Sequence, residues 1–222
     1  MRSSYIVGEQ TKQRILEIST SLFYKHGFQK TTYDHISKQA DVNRALIPYY
    51  FKNKKNLGLA VYDNTWAKVS RACWQIIGNC SPEVQVCVYL FAYYRILTNP
   101  NYARFLSEIN HEESCNPKMI EGEKNFFGPI IHKYRRIEDD EFNILAQMDF
   151  GIEKEIVQMA YECQDSDRID QMAVMELNLI LNYAGYPQEE VDSIVHDALQ
   201  YLSHYTIQLV DDFNVDITRN EP

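Results

Sequence analysis

Nowhere in the 222 residues does an Asn-Gly or Asp-Gly dipeptide join two alternating apolar runs, so the usual punctuation of a β-hairpin is missing. Helical periodicity dominates instead, and the expected fold class is all-α. No run approaches the ~20 apolar residues that span a bilayer, and residues 1–10 lack the apolar stretch of a secretory leader. A cytoplasmic protein with no membrane partner is expected. Cysteine is sparse and unpatterned. Cys73, Cys80, Cys87, Cys115 and Cys163 contain no CxxC pair and no complete zinc-ligand spacing, and Pro82 interrupts the seven-residue recurrence of the first three. Buried free thiols are the expected state, with neither a metal nor a cofactor. GxSxG, P-loop, dinucleotide and HExxH patterns are all absent. The segment His111, Glu112, Glu113 and Cys115 is rich in metal-ligating residue types, yet adjacent residues on a helix point in different directions.

Charge is unevenly spread. The net value is -9, but up to Leu57 ten Lys and Arg stand against four Asp and Glu, while beyond it twelve stand against twenty-seven. A basic head on an acidic body is the arrangement of a nucleic-acid-binding module carried by something else. The division expected from this is a head at 1–57 and a body at 58–222.

The periodicity predicts a first helix from about Glu9 to His26, with Ile15, Ile18, Leu22 and Phe23 on one face and Gly27 as its stop. Thr32 caps a second helix ending near Ala40, and Asn43 caps a third ending near Phe51. A long helix follows from Lys54 or Lys55 to about Gly78, and Pro82 opens the next, which closes near Thr98-Asn99-Pro100. Further helices are expected at about 102–113, at 117–136 with a kink or split at Gly128-Pro129, and at 140–163. The last two, from Ile169 to Ala184 and from Val191 to Leu209, form an αα-hairpin about Gly185-Tyr186-Pro187. The polar tail from Asn214 is expected to fray.

Residues 31–57, TTYDHISKQADVNRALIPYYFKNKKNL, carry the functional signal. Two short helices about a tight break at Asp41-Val42, followed by three lysines, are the order of a helix-turn-helix that meets DNA. Ile36, Ala40, Val42 and Ile47 lock the pair against the first helix, which leaves Arg44, Ala45, Pro48 and Tyr49 facing outward. Arg44 can pair bidentately with guanine, and Ala45, Pro48 and the Tyr49 ring can meet thymine methyls. Tyr50, Lys52, Lys54 and Lys55, the Thr32 hydroxyl and the Tyr33 amide are placed to hold phosphates.

This stretch resembles the N-terminal domain of TetR-family transcriptional regulators, through Gly27-Phe28, Thr31-Thr32, Ile36, Ala40, Val42, Tyr50-Phe51, Lys54 and Leu57. The resemblance implies backbone contacts from Thr32, Tyr33, Tyr50 and Lys54, and base contacts from Arg44, Ala45, Pro48 and Tyr49. It further implies a three-helix DNA-binding domain attached to a larger helical domain for ligand binding and dimerisation, acting as a repressor. Two positions depart from the pattern. Asp41 replaces the usual turn glycine, and Pro48, in place of a frequent tyrosine, removes a hydrogen bond expected at the Arg44 carbonyl.

A two-fold dimer presents two heads to a palindromic duplex. The terminal hairpin offers Ile169, Met172, Ile180, Val191, Ile194, Ala198, Leu202 and Tyr205 for that pairing, and the resemblance implies a four-helix bundle over about 167–212. Between head and hairpin, Trp66, Tyr89, Tyr93, Phe105 and Phe127 are candidates to line a pocket for a small apolar or aromatic effector, plain core packing being the competing reading. The competing function is an all-helical enzyme with an aromatic-lined substrate cavity.

Overall fold

The head begins with α1 (Arg2–His26), whose Ile15, Leu22 and Phe23 are buried. The computed structural model describes residues 2–110, 117–163 and 165–220; His111, Glu112, Glu113 and Cys115 lie outside them. α1 opens at Arg2 rather than near Glu9, because Ile6 and Val7 stay exposed and add nothing to the apolar periodicity that marks a core-facing helix. It stops at Gly27, whose φ of +84° suits glycine and whose N–H donates to the Phe23 carbonyl.

α2 (Tyr33–Ala40) and α3 (Leu46–Phe51) complete the head, burying Ile36, Ala40, Ile47 and Phe51 against α1. Asp41 adopts the left-handed conformation, φ 50° and ψ 53°, so the turn forms without glycine. Pro48 is accommodated just as simply. It lies in the first turn of α3, where amides have no intrahelical acceptor, and the Ile47 N–H takes the Arg44 carbonyl at 3.2 Å.

α4 (Lys54–Ile76), capped by Asn53, runs from the head into the body across the expected 57/58 division. α5 (Pro82–Ile96), capped by Ser81, is apolar nearly all round. Val86, Val88, Leu90, Phe91 and Ala92 are all buried, as befits a helix packed by α4, α7, α9 and α10. α6 (Pro100–Asn110) and α7 (Pro117–Ile131) follow, and α7 continues through Gly128-Pro129 instead of splitting there. α8 (Asp139–Cys163) and α9 (Ser166–Tyr183) form a packed pair, and α10 (Gln188–Ser203) returns across α5. Cys73 and Cys87 are buried free thiols, and burial pushes both up to about 12; Cys163 is exposed.

The C-terminus corrects the sequence reading. α10 ends at Ser203, and the chain then forms an antiparallel hairpin of β1 (Tyr205–Val210) and β2 (Asn214–Arg219) with Ile207 opposite Ile217. Tyr205 and Leu209 thus belong to a strand, and the tail from Asn214 is paired rather than frayed. The spacing of Leu202, Tyr205 and Leu209 satisfies a helix, but Ile207 and Leu209 are buried while Thr206, Gln208 and Val210 are exposed, which is a period of two. The turn Asp211–Phe213 contains no glycine, so it gave no hairpin signal. Asp212 and Phe213 pay in strain with φ of 56° and 53°. The return is the seating of the Phe213 ring, fully buried against Tyr24 of α1 and Tyr102 and Phe105 of α6.

Candidate nucleic-acid interface and ligand core

The predicted DNA face is assembled on the outer surface of the head. Thr32 Oγ1 accepts from the His35 N–H at 3.3 Å, leaving the first amides of α2 turned to solvent beside it. Asn43 Oδ1 accepts from the Ala45 N–H at 2.9 Å and starts the turn that presents α3. Thr32, Arg44, Ala45, Pro48 and Tyr49 are exposed, Tyr49 at 76%, a figure no core role for that ring can accommodate. Tyr33, Tyr50 and Lys54 are half-buried. Arg44 forms an ion pair with Asp34 at 3.1 Å, both side chains largely exposed, so opening it for a base costs only about 0.2–1 kcal/mol. Burial raises the Tyr33 hydroxyl while the nearby Arg44 charge lowers it. Lys54 donates to the Gln29 carbonyl at 3.2 Å and sits 4.5 Å above the Phe28 ring, which fixes its direction at the head of α4.

α6 ties this face to the body. Glu108 accepts from the Gln29 N–H at 2.8 Å, and Arg104 donates to the Tyr24 carbonyl at 2.9 Å. A Cβ on Gly27 would lie 2.9 Å from the Glu108 carboxylate, and one on Gly58 would lie 2.9 Å from the Phe28 ring and 3.1 Å from Ile109. The side chains of Glu108, Ile109 and Phe28 therefore fill the space that a Cβ at either glycine would need.

Within the body the aromatic candidates divide. Trp66 meets Tyr93 edge-on at 5.1 Å and Phe126 at 6.3 Å, while Phe126 reaches Tyr89 at 6.1 Å and Phe127 at 4.8 Å. Phe105 stands apart, stacked on Phe23 at 5.5 Å in the seam between head and body. Beside the aromatic group lies a cluster of acids that the sequence reading did not single out: Glu123 of α7, Asp149 and Glu153 of α8, and Glu176 of α9. Asp149 and Glu176 are buried, and Asp149 is hydrogen-bonded to both Glu123 and Glu176. Tyr94 donates to Glu176 and Tyr93 to Glu153, each at 2.5 Å. Burial pushes Glu153 up to about 7 and drives Glu123 and Glu176 well above the carboxylate range. The signal was legible, since Glu176 interrupts the apolar positions Ala173, Leu177 and Ile180, but one acid in such a stripe reads as a boundary.

The hairpin candidates Ile169, Ile180, Val191, Ile194, Ala198 and Leu202 are all buried within the protomer's own core, with Met172 and Tyr205 half-buried. The apolar residues left exposed on this side are Met175, Leu179 and Tyr183 of α9 and Ile144 and Met148 of α8. Among the described residues no helix is long and apolar enough to cross a membrane.

Residues 15–61 match the family model described as bacterial regulatory proteins, tetR family. Over 47 residues the chain is 49% identical to the "Probable HTH-type transcriptional regulator YttP" of Bacillus subtilis (strain 168), covering 21% of this chain and 23% of YttP. It is 23% identical over 133 residues to the HTH-type transcriptional repressor NicS of Pseudomonas putida (strain KT2440), covering 58% of this chain and 62% of NicS. The match thus spans less than two thirds of either curated relative. The crystal structure of RolR in complex with the ligand resorcinol superposes with a TM-score of 0.58 at 19% identity, over 86% of this chain and 95% of that one, a likeness of fold. Residues 15–61 are thus similar to the tetR family of bacterial regulatory proteins, and the chain as a whole shares the fold of RolR.

Proposed function

We propose that the protein is a homodimeric, ligand-responsive regulator that represses transcription by occupying a palindromic DNA operator. The observation that carries this is the exposed row Thr32, Arg44, Ala45, Pro48 and Tyr49 on a basic head, the side chains and helix ends that duplex recognition needs. NicS is named a repressor and RolR holds resorcinol, which supports repression and a small effector in the body. The ligand site is placed between Trp66, Tyr93, Phe126 and the acids, with α6 carrying its state to the head through Arg104 and Glu108.

Dimerisation is placed on α8 and α9. The predicted hairpin residues are occupied by the protomer's own core, whereas Met175, Leu179, Tyr183, Ile144 and Met148 offer an exposed apolar ridge that a second copy covers. The outer face of α10, with Asp192, Ser193, His196 and Asp197, is polar. Duplexes selected from a random pool test the reading: the enriched site is an inverted repeat, and its affinity falls steeply with added salt as counterions are released. Salt-independent retention, or no enrichment at all, overturns it.

A further inference from the structure

We infer that the core enclosed by α4 to α9 binds a small organic cation, an amine or quaternary ammonium with an apolar body, received by Asp149, Glu176 and Glu123. This rests on the ligand-responsive reading above and adds the sign of the ligand's charge.

The first argument is an excess of acceptors. Among the described residues, Glu123 Oε2, Asp149 Oδ1 and Glu176 Oε1 are buried without a hydrogen-bond partner, Asp149 and Glu176 being only 8% and 1% exposed. Buried carboxyls are normally paired or fully hydrogen-bonded, because burial takes away the water that stabilises their charge. Lys154 attracts Glu153 as the weakest influence on that carboxyl, and no cation is among the leading influences on Glu123, Asp149 or Glu176. The cluster holds together without a ligand only by keeping protons, which is what burial and mutual repulsion achieve here.

The second argument is independent of the acids. Tyr102 of α6 is fully buried, its hydroxyl has no partner, and it lies close enough to Glu153 and Tyr62 to act on their charges. Tyr102 thus brings a donor from α6 toward Glu153 and Tyr93, on the Glu153 side of the acid cluster. A cavity of about 10 Å³ opens between Glu123 and Asp149, walled by Phe127, Phe142, Leu145 and Ile180. That is room for about one water molecule, so an organic ligand enters only as these side chains and helices spread. The neighbouring Trp66, Tyr93 and Phe126 supply ring faces suited to an onium group.

The charge sign follows from the balance. An anion adds negative charge to a site that already sheds its own by keeping protons, a neutral donor meets a lone pair but displaces no proton, and a cation replaces the protons the acids hold. A divalent ion is disfavoured, since no group of three or more His, Cys, Asp or Glu among the described residues is spaced to hold a metal. Because protons leave as the cation enters, affinity rises with pH. The titratable groups facing the site are Tyr62 on α4, Tyr93 and Tyr94 on α5, Tyr102 on α6, Glu123 on α7, Asp149, Glu153 and Lys154 on α8, and Glu176 on α9.

The test is calorimetry and thermal melting of the full chain with phenethylamine and benzyltrimethylammonium, against 2-phenylethanol and phenylacetate. The two cations are expected to raise the Tm and to bind about tenfold or more tightly at about pH 8 than at about pH 6, releasing protons, while the alcohol and the acid do neither. Asp149→Asn and Glu176→Gln are expected to lower cation affinity about tenfold or more, with Glu153→Gln as a further variant should either fail to fold. Equal binding of the alcohol or the acid, pH-independent cation binding, or full affinity in the variants overturns the inference. Operator retention is measured on the same samples. A chain that holds duplex DNA but ignores both cations refutes the cation site alone; one that binds the cations but no duplex refutes the regulatory reading alone.

Discussion

Arg44 is held by Asp34 in an exposed ion pair, which orients its guanidinium for the proposed duplex yet releases it at small cost. Arg44→Ala is expected to remove about 1–3 kcal/mol of discrimination at one base pair while leaving non-specific retention nearly intact. Competition binding with single-base operator variants reads the difference. In the body, Glu153 is pushed up to about 7 by burial, with Tyr93 lowering it, Asp149 raising it and Lys154 lowering it least. An acid raised above its unfolded value stabilises the fold while protonated, and that contribution disappears as the pH rises through about 7. The Tm should therefore decline between about pH 5 and pH 8, and Glu153→Gln should flatten the decline. A pH profile unchanged in the variant would show that the carboxyl titrates as an ordinary surface acid.

Among the elements, α6 and the C-terminal hairpin do the joining. α6 brings Tyr102 within reach of the Glu153 charge and Glu108 to the Gln29 amide, so one helix links the acid cluster to the head. The hairpin wedges Phe213 between α1 and α6, and Lys68 of α4 donates to Asn214 Oδ1 at 2.8 Å. Phe213→Ala is expected to cost about 3–5 kcal/mol in urea unfolding, the range for emptying a buried aromatic site. A loss under about 1 kcal/mol would mean that the hairpin is an appendage rather than a brace. Some helix boundaries were legible because caps are local: Thr32 accepts from the amide three residues on, as expected, whereas Asn43 takes the Ala45 amide and α3 opens only at Leu46 without a side-chain cap. The hairpin was not, because two non-glycine residues at positive φ make its turn, and packing against α1 and α6 together with Lys68 of α4 sustains them.

At the level of the whole molecule, one head contacts too few base pairs for a specific site, and pairing is what multiplies them. The exposed ridge of α8 and α9 makes a sharp prediction. Leu179→Glu should shift the protein from dimer to monomer in light scattering and reduce operator affinity about a hundredfold or more, with its circular dichroism unchanged. A variant that stays dimeric would move the interface elsewhere.

Sequence by itself determined the head, because a helix-turn-helix is specified by short-range features: cap residues, a left-handed Asp41 and apolar positions three and four apart. It also determined the helical character of the body up to Ser203, though not the strand hairpin that follows. Tertiary structure alone decided which apolar face of the last helices is spent on the protomer's own core, and that acids from α7, α8 and α9 converge in one place. Both depend on how distant segments cross, and the period of a helix tells which residues share a face without telling what that face will meet.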